Sequence, residues 1–215
     1  MKIKDGSKVL FIGDSITDCE RARPVGEGLF GAEGKSYVGL IHAHLGAVCP
    51  ERKIRVVNMG SSGNTVVDLK ARWKTDVLDL RPDWVTIMIG VNDVWRQHDL
   101  PLQTETHVHL KPYRETLAEL VKLTQPKVRG IILMTPFYIE PLRADSMRHM
   151  MDLYGAAVES VARKYRTEFV DTQAAMDAVL KHCHSNFLAW DRVHPNPIGH
   201  MVLARAWLRA MDCPM

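Results

Sequence analysis

The chain has 215 residues, 46% hydrophobic and 25% charged, an ordinary balance for a globular protein and enough length to bury a substantial core. Basic residues number 28 against 25 acidic, a formal charge of +3 with no basic run longer than two residues, which argues against nucleic acid as a partner. No apolar run reaches the ~18 residues of a membrane span, Met1–Gly6 lacks the apolar stretch of a signal peptide, and the length predicts a single domain over residues 1–215.

Short apolar runs alternate with amphipathic stripes along the whole chain. Val9–Ile12 reads as a buried strand that runs into Gly13-Asp14-Ser15. Residues 20–35 form a long loop beside whatever site the chain carries, since loops of that length in a compact domain are often functional. Within it, Gly26-Glu27-Gly28-Leu29-Phe30-Gly31 matches the dinucleotide pattern but follows Arg23-Pro24 rather than a strand. Gly34-Lys35-Ser36 lacks the first glycine of a phosphate loop, because position 29 is Leu29. Neither therefore predicts a nucleotide cofactor, and no cofactor is expected.

Tyr37, Leu40, Ile41, His44 and Leu45 fall at helical spacing. A second strand is expected at Ile54–Asn58, followed by a Gly/Ser-rich turn through Gly63. Leu69, Trp73, Val77 and Leu80 predict a helix stopped by Pro82. A third strand at Trp84–Ile89 leads into Gly90-Val91-Asn92-Asp93. Tyr113, Leu117, Leu120 and Val121 mark a helix with Pro112 in its first turn. Gly130–Met134 is a fourth strand, Met147 through Tyr165 a long helix, Glu168–Val170 a fifth strand, and Met176, Val179 and Leu180 another helix. The last helix starts near Asn196-Pro197. Such alternation implies right-handed crossovers and a parallel sheet covered on both faces. Ligands then bind beyond the carboxyl ends of the strands.

Those ends carry the candidate chemistry. Ser15 stands at a strand-to-helix turn, where a serine exposes its hydroxyl and its backbone N–H, or simply caps the helix. Asp191-Arg192-Val193-His194-Pro195 puts a carboxylate three residues before an imidazole on one loop. That spacing lets Asp191 reach Nδ1 and fix the tautomer whose Nε2 takes a serine proton. Gly63 offers a backbone N–H with no Cβ in the way, and Asn92 a side-chain N–H; both also serve as plain turn residues. Trp95, Arg96 and Trp190 neighbour these residues in sequence and are candidates for binding substrate; ordinary packing, and for Arg96 a structural ion pair, stay open. His182-Cys183-His184, His42 with His44, and His107 with His109 do not make a tetrahedral ligand set, so no metal is expected. Cys19, Cys49, Cys183 and Cys213 show no CxxC spacing and predict reduced thiols in a cytoplasmic protein.

Four blocks carry a resemblance. Gly13-Asp14-Ser15-Ile16-Thr17, Gly63-Asn64-Thr65, Gly90-Val91-Asn92-Asp93 and Asp191-Arg192-Val193-His194-Pro195 resemble, in order, the signature blocks of the SGNH (GDSL) hydrolase family. The resemblance implies a three-layer α/β/α sandwich with a five-stranded parallel sheet, flavodoxin-like in plan. It implies Ser15 as nucleophile, His194 as base and Asp191 as its partner. It further implies Ser15, Gly63 and Asn92 as oxyanion donors. Ile12–Cys19, Arg21-Ala22-Arg23-Pro24, Gly90–Arg96 and Ala189–Pro195 are similar to the small intracellular bacterial acetylxylan esterases of that family. This implies deacetylation of xylo-oligosaccharides or related sugars through an acetyl-serine, and a homo-oligomer. Two other readings stay open: a lipid esterase or thioesterase with the same triad, against which no lid-like apolar run is seen, and a non-catalytic carbohydrate-binding module.

Overall fold

A computed structural model of the chain describes residues 1–214. In chain order the main elements are β1 (Lys8–Gly13), α1 (Ser15–Asp18), α2 (Tyr37–Val48), β2 (Arg55–Asn58), α3 (Val66–Trp73), β3 (Trp84–Met88), α4 (Val91–Asp99) and α5 (Leu110–Thr124). They continue with β4 (Gly130–Met134), α6 (Ser146–Tyr165), β5 (Glu168–Val170), α7 (Thr172–Leu180) and α8 (Pro197–Ala210). The five strands form one parallel sheet in the order β2-β1-β3-β4-β5. The register sets Phe11 beside Asn58 and Gly13 beside Met88.

The strands are legible because helices cover both faces of the sheet, so most strand residues are apolar and buried. α2 packs on α8 and α8 on α7, while α3 packs on α5 and α5 on α6; two helical layers thus enclose the sheet in the expected α/β/α sandwich. Phe11 touches the rings of Tyr37 and Trp207. The buried Trp207 and Trp73 indoles each reach a threonine, donating to Thr86 Oγ1 at 3.0 Å and to Thr124 Oγ1 at 2.9 Å. Burial of their large apolar rings therefore leaves no orphaned N–H.

Two elements differ from the sequence pattern. The helix expected through Leu80 is α-helical only to Trp73 and continues as a π-turn over Lys74–Leu78, closed by Asp79 N–H on the carbonyl of Lys74 at 2.9 Å. The second is α4, whose first turn alone, Val91 through Val94, is buried; with no continuing apolar stripe, it reads in sequence as a turn. The loop between α1 and α2 is irregular apart from a single bridge of Gly26 to Asn58. Although the sequence shows no lid-like run, Leu29 and Phe30 at its tip are exposed.

From β1 the chain steps to one side for β2 and to the other for β3. The crevice at that switch, beyond the carboxyl ends of β1 and β3, is where open α/β sheets bind ligands. Ser15 follows β1 and Asn92 follows β3.

Candidate active site

Asp14 ends the strand in extended geometry and caps α1, accepting from the Ile16 N–H at 3.0 Å. The cap starts the helix at Ser15, whose hydroxyl is left partly exposed at its N-terminus. Across 179 residues of chain, Ser15 Oγ lies 2.9 Å from His194 Nε2. His194 Nδ1 lies 2.6 Å from Asp191 Oδ2. A carboxylate acceptor there places the imidazole proton on Nδ1 and leaves Nε2 to accept the serine proton.

The Asp191 loop is wound by its own side chain. Asp191 Oδ1 accepts from the amides of Val193 at 3.0 Å and His194 at 2.8 Å, and Arg192, between Asp191 and Val193, takes a left-handed φ of 63°. Burial alone would raise the Asp191 carboxyl; the hydrogen bonds from the His194 ring and from the two amides outweigh it and hold it below the usual carboxylate value. The carboxylate stays ionised next to the ring that must become cationic.

Gly63 lies at the outer end of a turn closed by Asn64 N–H on Ser61 O at 3.3 Å. Its φ of +82° is left-handed, and a Cβ there would meet nothing within 4 Å, so conformation rather than space calls for glycine. Asn92 is buried and donates through Nδ2 to the carbonyl of Asn64 at 2.9 Å. An amide nitrogen carries two hydrogens; the other is uncommitted among the described residues. Ser61 N–H bonds the carbonyl of Gly13 at 3.0 Å. The Gly63 turn is thus tied both to the strand that delivers Ser15 and to the helix that delivers Asn92.

The pattern of the GDSL-like lipase/acylhydrolase family matches residues 11–202. The chain belongs to that family. It is 61% identical over 209 residues to the acetylxylan esterase of Geobacillus stearothermophilus, covering 97% of this chain and 95% of that one. A catalytic mutant of Axe2, an acetylxylan esterase from the same organism, superposes with a TM-score of 0.98 at 59% identity, over 100% of this chain and 98% of that one. LAE5, an α/β hydrolase enzyme from the metagenome of Lake Arreo, Spain, superposes at 0.98 with 54% identity, over 99% and 98%.

Around the triad geometry of this GDSL-type chain, Trp95 packs its ring against His194, centroids 5.8 Å apart at 59°. Arg96 spans the Trp95 face at 5.3 Å, pairs with Asp99 and reaches Asn92 Oδ1 at 3.4 Å. Trp190 points outward, 85% exposed, directly before Asp191. A cleft of about 460 Å³ borders Gly63, Thr65, Arg96 and His107. Among the described residues, no three or more His, Cys, Asp or Glu side chains are grouped to hold a metal ion.

Among the described residues, two buried acids under the site have no basic partner. Burial pushes Asp14 up to about 7, against the Ile16 amide and nearby His194. Burial likewise pushes Asp93 up to about 8, against the Val66 amide it accepts at 3.1 Å. Asp93 and Asp18 both hold the Gly63 segment, and neither is apparent from sequence spacing. Their partners in that segment lie 27 and 44 residues away, and the only signal for either is its place inside a block, Gly90–Asp93 for Asp93 and Ile12–Cys19 for Asp18.

Proposed function

We propose that the chain is a serine esterase that removes acetyl groups from xylo-oligosaccharides or related acetylated sugars. The observation that carries it is the continuous chain of hydrogen bonds from Ser15 Oγ through His194 to Asp191, set at the ligand end of the sheet. Support for the substrate comes from the relative of 61% identity, an acetylxylan esterase. Support for the residues comes from the catalytic mutants of Axe2, which carry S15A, H194A or D191A in that protein.

Ser15 Oγ attacks the acetyl carbonyl carbon while His194 Nε2 takes the hydroxyl proton. The carbonyl oxygen becomes an oxyanion held by the N–H groups of Ser15 and Gly63 and by Asn92 Nδ2–H. Asp191 stabilises the imidazolium. Collapse of the tetrahedral intermediate breaks the bond to the sugar oxygen, which receives the proton from His194 and leaves acetyl-Ser15. Water then repeats the sequence, His194 taking its proton, and acetate departs as Ser15 recovers its own. Trp95 packs against His194 and, with Arg96 and Trp190, belongs to the wall we assign to the sugar.

The same reading includes a cytoplasmic, homo-oligomeric protein that folds as one domain. Its four cysteines are free thiols, and no helix among the described residues is long and apolar enough to cross a membrane. Light scattering in solution decides the assembly.

The test is acetate release from acetylated xylo-oligosaccharides, compared with hydrolysis of long-acyl esters, by wild type and Ser15→Ala. Fast, Ser15-dependent release from the sugar is expected. Activity confined to long-acyl esters would replace the sugar with a lipid or thioester substrate. A wild-type rate from Ser15→Ala would remove the mechanism.

A further inference from the structure

Asp18 closes α1, three residues after Ser15, with its side chain 5% exposed. One oxygen, Oδ2, accepts three hydrogen bonds: from Arg23 Nη2 at 2.6 Å, from the Ser62 amide at 3.0 Å and from the Ser62 hydroxyl at 2.9 Å. The other, Oδ1, is buried with no hydrogen-bond partner among the described residues. An orphaned buried oxygen is unfavourable, and burial raises the carboxyl; Arg23 and the two Ser62 groups outweigh this and hold Asp18 below the usual carboxylate value. An ionised group is thus kept in an unfavourable place by contacts with the residue next to Gly63 and with the long loop.

The contacts around Gly63 show what that arrangement achieves. Gly63 has no side chain, and open space where a Cβ would stand, so side-chain packing does not aim its N–H. Its neighbours do. Ser61 is tied to Gly13, Asn64 to Asn92, and Val66 to Asp93. A fourth tie, from the Ser62 amide and hydroxyl to Asp18 Oδ2, runs to the helix that Ser15 begins. Backbone contact is equally close there: a Cβ on Gly60 would fall 2.2 Å from the Asp18 nitrogen. Oxyanion donors act through a preset spacing, and Ser15 N–H and Gly63 N–H belong to two different loops.

We propose that Asp18 is a positioning residue that locks the Gly63 N–H to the Ser15 helix, with Arg23 of the 20–35 loop anchoring the carboxylate through its 2.6 Å contact. The inference rests on the esterase reading above. It gives a role to Asp18, in the block that carries Ser15, and to Arg23, in the Arg21–Pro24 block that the triad leaves unused.

The test uses p-nitrophenyl acetate with wild type, Asp18→Ala, Asp18→Asn and Ser62→Ala. Each is also titrated with methylboronic acid, whose Ser15 adduct carries a tetrahedral centre with an oxygen in the oxyanion position. Asp18→Ala is expected to lower kcat ~10-fold or more with KM within ~2-fold, and to weaken boronate binding in parallel. Asp18→Asn keeps an acceptor for Ser62 and is expected to recover most of kcat; Ser62→Ala keeps the amide bond and falls between. Should Asp18→Ala fail to fold, the Asn and Ser62 variants carry the same comparison. Unchanged kcat in the folded variants, or lost kcat with unchanged boronate affinity, would overturn the positioning role. A wild type no faster than Ser15→Ala would instead remove the esterase reading on which it stands.

Discussion

Glu140 and Arg192 meet at 2.5 Å across 52 residues of chain, joining the segment after β4 to the loop that carries Asp191 and His194. Beside the ion pair, Ile139 N–H bonds the carbonyl of Arg192 at 2.9 Å. Because Arg192 is 40% exposed and also sits at a φ of 63°, its side chain and its backbone contribute separately. Arg192→Ala is expected to lose about 1 kcal/mol from the half-exposed pair. Arg192→Gly loses the same pair but relaxes the left-handed backbone, and should be more stable than the alanine variant by ~1 kcal/mol. Urea unfolding of the two variants measures the difference; equal midpoints would show that the backbone stores no strain there.

Asn92 and Gly63 should respond differently to alanine. Asn92→Ala removes one of the proposed oxyanion donors and leaves the Asn64 carbonyl without its partner, so kcat on an acetyl ester is expected to fall ~10²–10³-fold with little change in KM. A methyl on Gly63 has room. Its effect comes only from the strained φ, and ~10-fold is expected, less than the ~10²–10³-fold cost of removing a donor outright. Steady-state kinetics separate the cases. A rise in KM at constant kcat for either variant would place that residue in substrate binding instead.

The sheet was legible in the sequence because helices cover it on both faces. That burial gives the central strands largely apolar runs, such as Ile131–Met134 in β4. Helices packed along their full length, α5 and α6 among them, left stripes at the right spacing. α4 left none, since only its first turn is buried. The π-turn after Trp73 kept the apolar spacing of an α-helix and so could not be told from one. In the site, Ser15 and Asp191–His194 were legible as motifs. Their meeting across 179 residues follows from the sheet order, which no local pattern encodes. Asp18, Asp93 and Glu140 were not legible, because a buried carboxylate is defined by partners that the fold brings to it.

Asp93 makes stability depend on pH in a direction unusual for a carboxylate. Its folded value is about 8, against ~3.9 when unfolded. From about pH 4 upward the unfolded chain releases a proton that the folded protein retains, so this group lowers stability as pH rises through that window. Asp93→Asn keeps an acceptor for the Val66 amide and cannot titrate. Relative to wild type it is expected to gain stability between pH 4 and 8, by on the order of a few kcal/mol. Denaturant unfolding of both proteins at several pH values gives the difference. A gap independent of pH would mean that Asp93 is ionised in the folded protein.

His200 acts at the acid end with the opposite sign. It is 4% exposed, and its Nδ1 accepts from the Tyr37 amide at 3.2 Å. The ring proton therefore sits on Nε2, facing Cys19 Sγ at 3.9 Å. Burial, with His194 nearby, lowers its value to about 4, against ~6.5 when unfolded. Below about pH 6.5 the unfolded chain takes up a proton that the folded protein refuses, so stability is lost as pH falls toward 4. Above that window the group is neutral in both states and its pH-dependent contribution vanishes. An asparagine places Oδ1 close to where Nδ1 stood, so His200→Asn retains an acceptor for Tyr37 without titrating. Wild type is expected to lose ~1–3 kcal/mol more than the variant between pH 6.5 and 4, and the two stability curves should run parallel above pH 7. If they also run parallel in acid, the folded protein protonates His200 as readily as the unfolded chain does.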